Sequence, residues 1–280
     1  MQNRKRLILK FNTNGHYCYK TINEIGNNGA NSGLHSIKLG TSWFDFLYVN
    51  NKAPVTLVTF SAAVPIDHSY PVFSGWSFPK DIEVNLLAFA DPAIASRPPV
   101  KTSWHLGNSH IHGPNLARRV IDQFAPDNQL TLFFGASAGG YAALLHSYER
   151  PDSAAFVMNP RIDLQAPPNI FTEASSDLSN GPINEEVLSR EPSDLKLLYT
   201  QNPLNHIFHL QNLGDAWYLK EQYGPFRDLL SDYPNYHRIV HNWGRGHLAP
   251  PRKDYIDYLT SLVKSAPNWS LGQPGKISII

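Results

Sequence analysis

The sequence predicts a three-layer α/β sandwich, with a mostly parallel central sheet that is covered by helices on both faces. Short apolar runs of strand length alternate with segments of helical spacing, which is the pattern of strand–helix–strand units. One run, residues 130–134, is apolar apart from one threonine, as expected for a strand buried on both faces of a parallel sheet. The 280 residues show no internal repeat, so we expect a single domain over 1–280.

The composition of the chain argues against several classes of protein. The formal net charge of +1 gives no large basic field for nucleic acid or an anionic membrane. The single cysteine, Cys18, rules out an internal disulfide framework and suits a reducing compartment. It lies near the N-terminus in a polar setting, and we interpret it as structural. The apolar run at 7–9 is too short for the core of a signal peptide, and no run reaches membrane-spanning length. We therefore expect a soluble, cytoplasmic protein without a membrane span.

The first half of the chain is predicted to supply the early strands and one helix. A loop rich in Asn and Gly at 23–33 separates the first two predicted strands. An amphipathic helix follows from the helical spacing of Leu116, Val120, Ile121 and Phe124. The predicted strands of this half are 5–10, 44–48, 54–60 and 84–90.

The second half continues the alternation. A helix over 141–150 stops at Pro151, because proline cannot continue a helix. Further strands are predicted at 154–158, 207–210 and 236–240, and further helices at 219–230 and 254–263. Between them, residues 164–190 are rich in Pro, Asn and Ser and contain one short helix near 184–189. We interpret 164–190 as a lid or cap inserted after the sixth strand.

The motif on which the functional interpretation depends is G-x-S-x-G, formed by Gly135, Ser137 and Gly139. It joins the predicted strand 130–134 to the helix after it. Residues two before and two after a serine on such a tight turn must be small, since larger side chains would collide with the strand and the helix. The turn lifts the hydroxyl above the edge of the sheet and leaves the N–H of Ala138 at a helix N-terminus, free to donate to an oxyanion.

This arrangement is the nucleophile elbow, and the sequence here resembles the α/β-hydrolase superfamily. The resemblance covers residues 55–263. It implies a Ser–Asp–His triad in that chain order, and a second oxyanion N–H from the loop after the strand 54–60. Small residues at 61–63 would let a carbonyl approach the backbone, and we assign the second N–H to Ala62.

A serine hydroxyl is a poor nucleophile without an imidazole base, and twelve histidines compete for that role. His247 is the candidate base, because it follows the last predicted core strand. Gly244 and Gly246 allow its loop to bend back toward the serine. The other histidines considered for the role, His146, His206, His209, His237 and His241, lie within predicted helices or in or beside strands.

The imidazole in turn needs a carboxylate. Asp215 follows the strand 207–210 in a Leu-Gly-Asp turn, where the resemblance places the triad acid. An aspartate at this position also suits the cap of the next helix. Asp163, after the previous strand, is the alternative acid.

No metal or cofactor is expected. His110 and His112 are separated by one residue, which suggests a metal site. However, no third ligand follows at helical spacing, and the sequence lacks H-E-x-x-H and any cysteine pair. We interpret these imidazoles as solvent-facing or substrate-contacting.

The expected function is acyl-ester chemistry of the serine-esterase type on a small-molecule or glycan ester. Within the superfamily, the segments VTFSAA, GASAGG and the GxGH at 244–247 are similar to bacterial capsular-polysaccharide O-acetyltransferases. That similarity implies an acetyl donor such as acetyl-CoA and a sugar hydroxyl as acceptor. A non-catalytic binding protein of the same fold is a further alternative, but it should lack a triad residue, and none is missing. The sequence does not specify the substrate or the oligomeric state.

Overall fold

The computed structural model describes residues 8–11, 14–28, 31–95, 100–166 and 185–271. Within these ranges the strands are β1 (His16–Tyr19), β2 (Gly33–Leu39), β3 (Ser42–Val49), β4 (Val55–Phe60), β5 (Asn85–Phe89), β6 (Gly107–Asn108), β7 (Ile111–His112), β8 (Leu130–Ala136), β9 (Ala154–Met158), β10 (His206–Asn212) and β11 (Tyr236–His241). Nine of these described strands form one sheet, and β6 and β7 form a separate small hairpin.

The sheet is mostly parallel. Its strand order is β1-β2-β3-β5-β4-β8-β9-β10-β11, and only β3 runs antiparallel to its two neighbours. The central strands β4 and β9 are buried along their whole length, which explains why their sequences are apolar on both faces. This is the mostly parallel α/β architecture that the sequence predicts.

Helices lie against the sheet and contribute to two apolar clusters. In the described part of the chain they are α1 (Gly113–Phe124), α2 (Ala138–Ser147), α3 (Glu185–Leu188), α4 (Lys196–Tyr199), α5 (Ala216–Tyr218), α6 (Gly224–Leu229) and α7 (Arg252–Ser265), with a π-turn at Leu219–Tyr223 between α5 and α6. α1 and α2 pack into one cluster with the rings of Phe46, Phe60 and Phe133. α7 packs into the other cluster with Phe134 and Phe156. None of the described helices is both long and apolar enough to cross a membrane.

The register brings the ends of four strands together. β4 and β8 pair with Phe60 opposite Gly135, and β8 and β9 pair with Ala136 opposite Met158. β10 follows, with Leu210 opposite Met158. Because parallel strands end at the same edge of a sheet, the loops after β4, β8, β9 and β10 meet at this edge.

The N-terminal part differs from the prediction. The predicted strand at 5–10 is wrong at its described end, because residues Leu9–Phe11 form a 3₁₀ turn. Strands β1 and β2 were not predicted, since polar residues interrupt their apolar pattern. The polar groups of β2 are satisfied inside the fold: His35 pairs with the Tyr19 hydroxyl, and Ser36 donates to Asp45.

The predicted lid at 164–190 lies largely outside the described residues. Residues 167–184 of this segment are not described. Its described part contains the short helix α3 (Glu185–Leu188). The single-domain prediction and the lid therefore stay predictions.

Candidate active site

Ser137 sits at the tip of the turn between β8 and α2, in a backbone conformation that is rare for a residue with a side chain. Its φ is +52° and its ψ is −114°. Its N–H donates to the carbonyl of Met158, and its own carbonyl accepts from the N–H of Arg161. The surrounding loops therefore hold the strained residue in place, as expected for a nucleophile elbow.

The glycines of the motif are required by close backbone contacts. A Cβ on Gly135 would lie 2.0 Å from the carbonyl oxygen of Gly139. A Cβ on Gly139 would lie 2.3 Å from the carbonyl oxygen of Phe60. The second contact also shows that the end of β4 lies directly against the first turn of α2.

His247 and Asp215 form a hydrogen-bonded pair at the same edge of the sheet. Nδ1 of His247 donates to Oδ2 of Asp215 over 2.6 Å. The aspartate is buried, whereas the imidazole side chain is 37 % exposed. A carboxylate at Nδ1 leaves Nε2 as the nitrogen that can accept a proton from another group.

The turns that carry Asp215 and His247 are bonded to each other. The side chain of Asn212, the last residue of β10, donates to the carbonyls of Gly244 and Gly246 over 2.9 and 2.7 Å. The N–H of Gly246 donates to the carbonyl of Gly214. A Cβ on Gly214 would lie 1.8 Å from the carbonyl oxygen of Gly244, so only glycine allows this approach.

Tyr218 links the histidine to the serine. Its ring lies on the His247 ring, with 4.0 Å between the centroids. Its hydroxyl oxygen is 3.4 Å from Oγ of Ser137. Its backbone N–H donates to Oδ1 of Asp215, which caps α5. The three residues predicted as a triad are therefore gathered around this one tyrosine.

The two predicted oxyanion residues lie at the start of α2 and in the loop after β4. Ala138 is the first residue of α2, so its N–H has no carbonyl partner within the helix. Ala62 follows β4 by two residues, and Ser61 before it contacts α2: a Cβ on Gly139 would be 3.0 Å from the Ser61 carbonyl oxygen.

A buried histidine fixes the orientation of the Ser61–Ala62 peptide. Nε2 of His105 lies 3.0 Å from the Ser61 carbonyl oxygen, which makes it the donor and assigns the tautomer. Burial lowers the pKa of His105, although the charge of Asp91 opposes that shift, so the ring is neutral at pH 7. In a planar trans peptide the N–H points away from the C=O, so a carbonyl anchored inside the protein directs the N–H of Ala62 outward.

Asp163, the alternative acid, and His112, considered as a metal ligand, have other partners. The Asp163 carboxylate accepts from the N–H of Gln165, and its described contacts do not include His247. The side chain of His112 caps α1. No group of three or more metal-ligating side chains is found among the described residues.

Sequence reasoning missed Tyr218, Asn212 and His105. Tyr218 had a partial signal, because it stands three residues after the predicted acid and so lies one helical turn away. Asn212 and His105 act through contacts between residues that are distant in sequence, and a single sequence carries no mark of such contacts.

Comparisons with known proteins show the fold. No protein-family model matches the chain, and no curated protein matches it in sequence. Among solved structures, a capsule O-acetyltransferase of Neisseria meningitidis serogroup A superposes with a TM-score of 0.63 at 18% identity, over 85% of this chain and 97% of that chain. A mutant of the same enzyme in complex with CoA gives a TM-score of 0.59 at 19% identity, over 82% of this chain and 94% of that chain.

A second kind of neighbour is hydrolytic. An S-formylglutathione hydrolase from Agrobacterium tumefaciens superposes with a TM-score of 0.52 at 13% identity, over 86% of this chain and 94% of that chain. Together with the strand order and the elbow, these neighbours show that the chain has the α/β-hydrolase fold. The fold prediction is therefore confirmed.

Proposed function

We propose that this protein is a serine-nucleophile enzyme that transfers an acyl group from an ester or thioester through an acyl-enzyme on Ser137. His247 acts as general base and acid, Asp215 orients it, and the N–H groups of Ala138 and Ala62 bind the oxyanion. Water as the final acceptor makes the enzyme an esterase. No cofactor or metal takes part in these steps.

The reaction proceeds in two half-reactions, acylation and deacylation of Ser137. Oγ of Ser137 bonds to the acyl carbon while its proton passes to Nε2 of His247, and the carbonyl oxygen becomes an oxyanion. The oxyanion collapses, the bond to the leaving group breaks, and His247 returns the proton to that group. An acceptor O–H then repeats both steps at the acyl-enzyme, which releases the acylated acceptor and regenerates Ser137.

One arrangement carries the proposal. The strained Ser137, at φ +52°, contacts the hydroxyl of Tyr218, and the ring of Tyr218 lies on that of His247, which is hydrogen-bonded to Asp215. Strain of this kind costs on the order of 1–3 kcal/mol and persists where the surrounding structure imposes it. A non-catalytic protein would have no use for a strained serine and a hydrogen-bonded histidine–carboxylate pair at one sheet edge. The proposal therefore favours an enzyme over a binding protein.

Rapid mixing with p-nitrophenyl acetate tests the proposal. An acyl-enzyme mechanism predicts a burst of p-nitrophenol of one equivalent per chain when deacylation limits turnover, and steady hydrolysis afterwards. Ser137→Ala should abolish both phases. Ser153→Ala, which removes a buried serine hydroxyl directly before β9, is the matched control and should keep them. A burst that survives in Ser137→Ala would rule the proposal out.

The second candidate function is O-acetyl transfer from acetyl-CoA to a sugar hydroxyl of a bacterial polysaccharide. Its support is that the acetyltransferase neighbour superposes better than the hydrolase neighbour, with TM-scores of 0.63 and 0.52. Both functions use the same triad and differ in the group that resolves the acyl-enzyme. The acceptor therefore decides between them.

Release of CoA thiol from acetyl-CoA, followed with a thiol reagent, separates the two functions. A transferase releases thiol faster when soluble mono- or oligosaccharides are added, and the sugar gains an acetyl ester detectable by mass spectrometry. An esterase releases acetate at a rate that the sugars leave unchanged. Ser137→Ala is the blank in both assays.

A further inference from the structure

We propose that Tyr218 is a further catalytic residue, and that Arg161 is the positioning residue that makes its hydroxyl an effective donor to the reacting oxygen of Ser137. The inference rests on the proposed function and deepens it. It adds to the triad a phenol–guanidinium pair that stabilises negative charge at the serine.

The position of Tyr218 carries the first step. Its Oη is 3.4 Å from Oγ of Ser137, so it lies beside a reacting atom. Two other contacts fix the residue: the backbone bond to Asp215 and the ring contact with His247. Burial raises the pKa of the Tyr218 phenol, so at neutral pH it carries its proton and can donate.

Arg161 carries a buried positive charge to which no carboxylate of the described residues is hydrogen-bonded. The residue is 1 % exposed. Its Nε and Nη2 donate to the main-chain carbonyls of Asp163, Leu164 and Ala166, and its guanidinium lies 4.7 Å from the centre of the Trp217 ring. Its Nη1 has no hydrogen-bond partner among the described residues.

A buried cation of this kind is costly unless negative charge appears near it. The guanidinium lies over the ring of Trp217, the residue next to Tyr218, and its charge opposes the rise in the phenol's pKa that burial causes. We infer that the guanidinium acts toward Ser137 through the Tyr218 hydroxyl. The backbone of Arg161 is itself bonded to Ser137 through its N–H. We infer that this guanidinium stabilises the negative charge that develops on the serine and the tetrahedral intermediate.

The chemistry follows from this alignment. As the Ser137 proton moves to His247, Oγ becomes more negative, and the phenol hydrogen bond to it shortens and strengthens. The guanidinium polarises the phenol and makes it a better donor. In deacylation the same Oγ leaves the acyl carbon, and the phenol stabilises it until His247 returns the proton. The long 3.4 Å distance fits a resting enzyme, since catalytic hydrogen bonds tighten in the transition state.

The test is the rate of labelling by a fluorophosphonate, which reports attack by Ser137 and needs no acceptor. Tyr218→Phe keeps the ring contact with His247 and removes only the hydroxyl. We expect its labelling rate to fall by about 100-fold, the loss typical of one transition-state donor. With p-nitrophenyl acetate, kcat should fall while KM stays unchanged. Tyr223→Phe is the matched control, because this buried tyrosine of the same helical segment packs against His209, away from Ser137.

Arg161 is tested by a double-mutant cycle. Arg161→Met should slow labelling, and Arg161→Lys, which keeps the charge, should recover part of the rate. Because the guanidinium acts through the phenol, Arg161→Met should add little to the loss in Tyr218→Phe. Thermal unfolding of each variant identifies any that fail to fold, and in that case Tyr218→Phe decides alone.

The outcomes separate this inference from the proposed function. If Ser137→Ala abolishes labelling while Tyr218→Phe labels at the wild-type rate, the inference is overturned and the proposed function stands. Fully additive losses in the cycle would overturn the role of Arg161. A wild-type protein that takes up no fluorophosphonate contradicts both.

Discussion

Asp215 uses its two carboxylate oxygens for two different partners. Oδ1 accepts the N–H of Tyr218 and caps α5, and Oδ2 accepts Nδ1–H of His247. The helix-cap and triad interpretations of this residue, which compete at the level of sequence, are therefore compatible in the structure. The same contact brings Tyr218 to the site.

This division of roles predicts the effect of Asp215→Asn. The amide oxygen can still cap α5, but the amide nitrogen cannot accept a proton from Nδ1, so the imidazole loses its productive tautomer. We expect kcat to fall by about 10⁴-fold with little change in the melting temperature. Steady-state hydrolysis of p-nitrophenyl acetate and thermal unfolding measure the two effects.

Asp163→Asn is the matched control, because Asp163 is the alternative acid from the neighbouring strand end. Its activity should stay within a few-fold of wild type. The assignment of the acid would be reversed if Asp163→Asn lost the activity and Asp215→Asn kept it.

At the scale of the elements, the loop after β4 is held by a buried network of hydrogen bonds. Asp91 accepts hydrogen bonds from Thr102, Ser103 and the N–H of His105, all buried. His105 then anchors the Ser61 carbonyl. The direction of the Ala62 N–H thus depends on a buried polar network that is distant from it in sequence.

The network predicts a graded response at His105. His105→Leu removes the donor, frees the Ser61–Ala62 peptide and should lower kcat by roughly 10- to 100-fold, as for a partly lost oxyanion donor. His105→Gln offers an amide N–H in a similar place and should keep more of the activity. The ratio of the two kcat values is the measurement, with thermal unfolding alongside. Equal losses in both variants would mean that the carbonyl anchor is irrelevant to catalysis.

The elements also show where prediction from sequence ends. The strand–elbow–helix unit at 130–150 was predictable, because apolar runs, small residues and one proline each have a local physical meaning. The strand β2 was not, since His35 and Ser36 are polar residues whose partners, Tyr19 and Asp45, lie on the two neighbouring strands. The local sequence pattern indicates which secondary structure a segment favours. It does not indicate whether residues distant in sequence will form hydrogen bonds with its polar side chains.

For the candidate site the same limit applies. Ser137, Asp215 and His247 follow from the elbow and from the chain order that the fold imposes. Tyr218 stands three residues after Asp215 and Arg161 follows β9, but only the folded chain puts the Tyr218 hydroxyl beside Oγ of Ser137 and bonds the N–H of Arg161 to the Ser137 carbonyl.

At the scale of the whole molecule, buried neutral histidines make stability depend on pH. Burial lowers the pKa of His209 to about 3 and that of His35 to about 4. In the unfolded chain both titrate near 6.5, so between about pH 6.5 and 4 the unfolded state binds more protons. The free energy of unfolding therefore falls as the pH drops through this window, by up to about 1.4 kcal/mol per pH unit for each histidine.

Urea unfolding at pH 7.5, 6.0 and 5.0 measures this slope. His209→Gln removes one of the titrating groups and should lower the slope by up to about 1.4 kcal/mol per pH unit, most of it between pH 6.0 and 5.0. His110→Gln, at an exposed position, is the control and should leave it unchanged. An unaltered slope in His209→Gln would show that this histidine takes up no proton on unfolding.

The most direct test of the central claim is to map the fluorophosphonate adduct by peptide mass spectrometry and to compare labelling rates in His247→Ala and His241→Ala. His241 ends β11 and is an exposed histidine near His247 in sequence. The account predicts one adduct, on Ser137, formed at the wild-type rate in His241→Ala and at least 100-fold more slowly in His247→Ala, since the base is then missing. An adduct on another residue, or equal rates in the two variants, would contradict it.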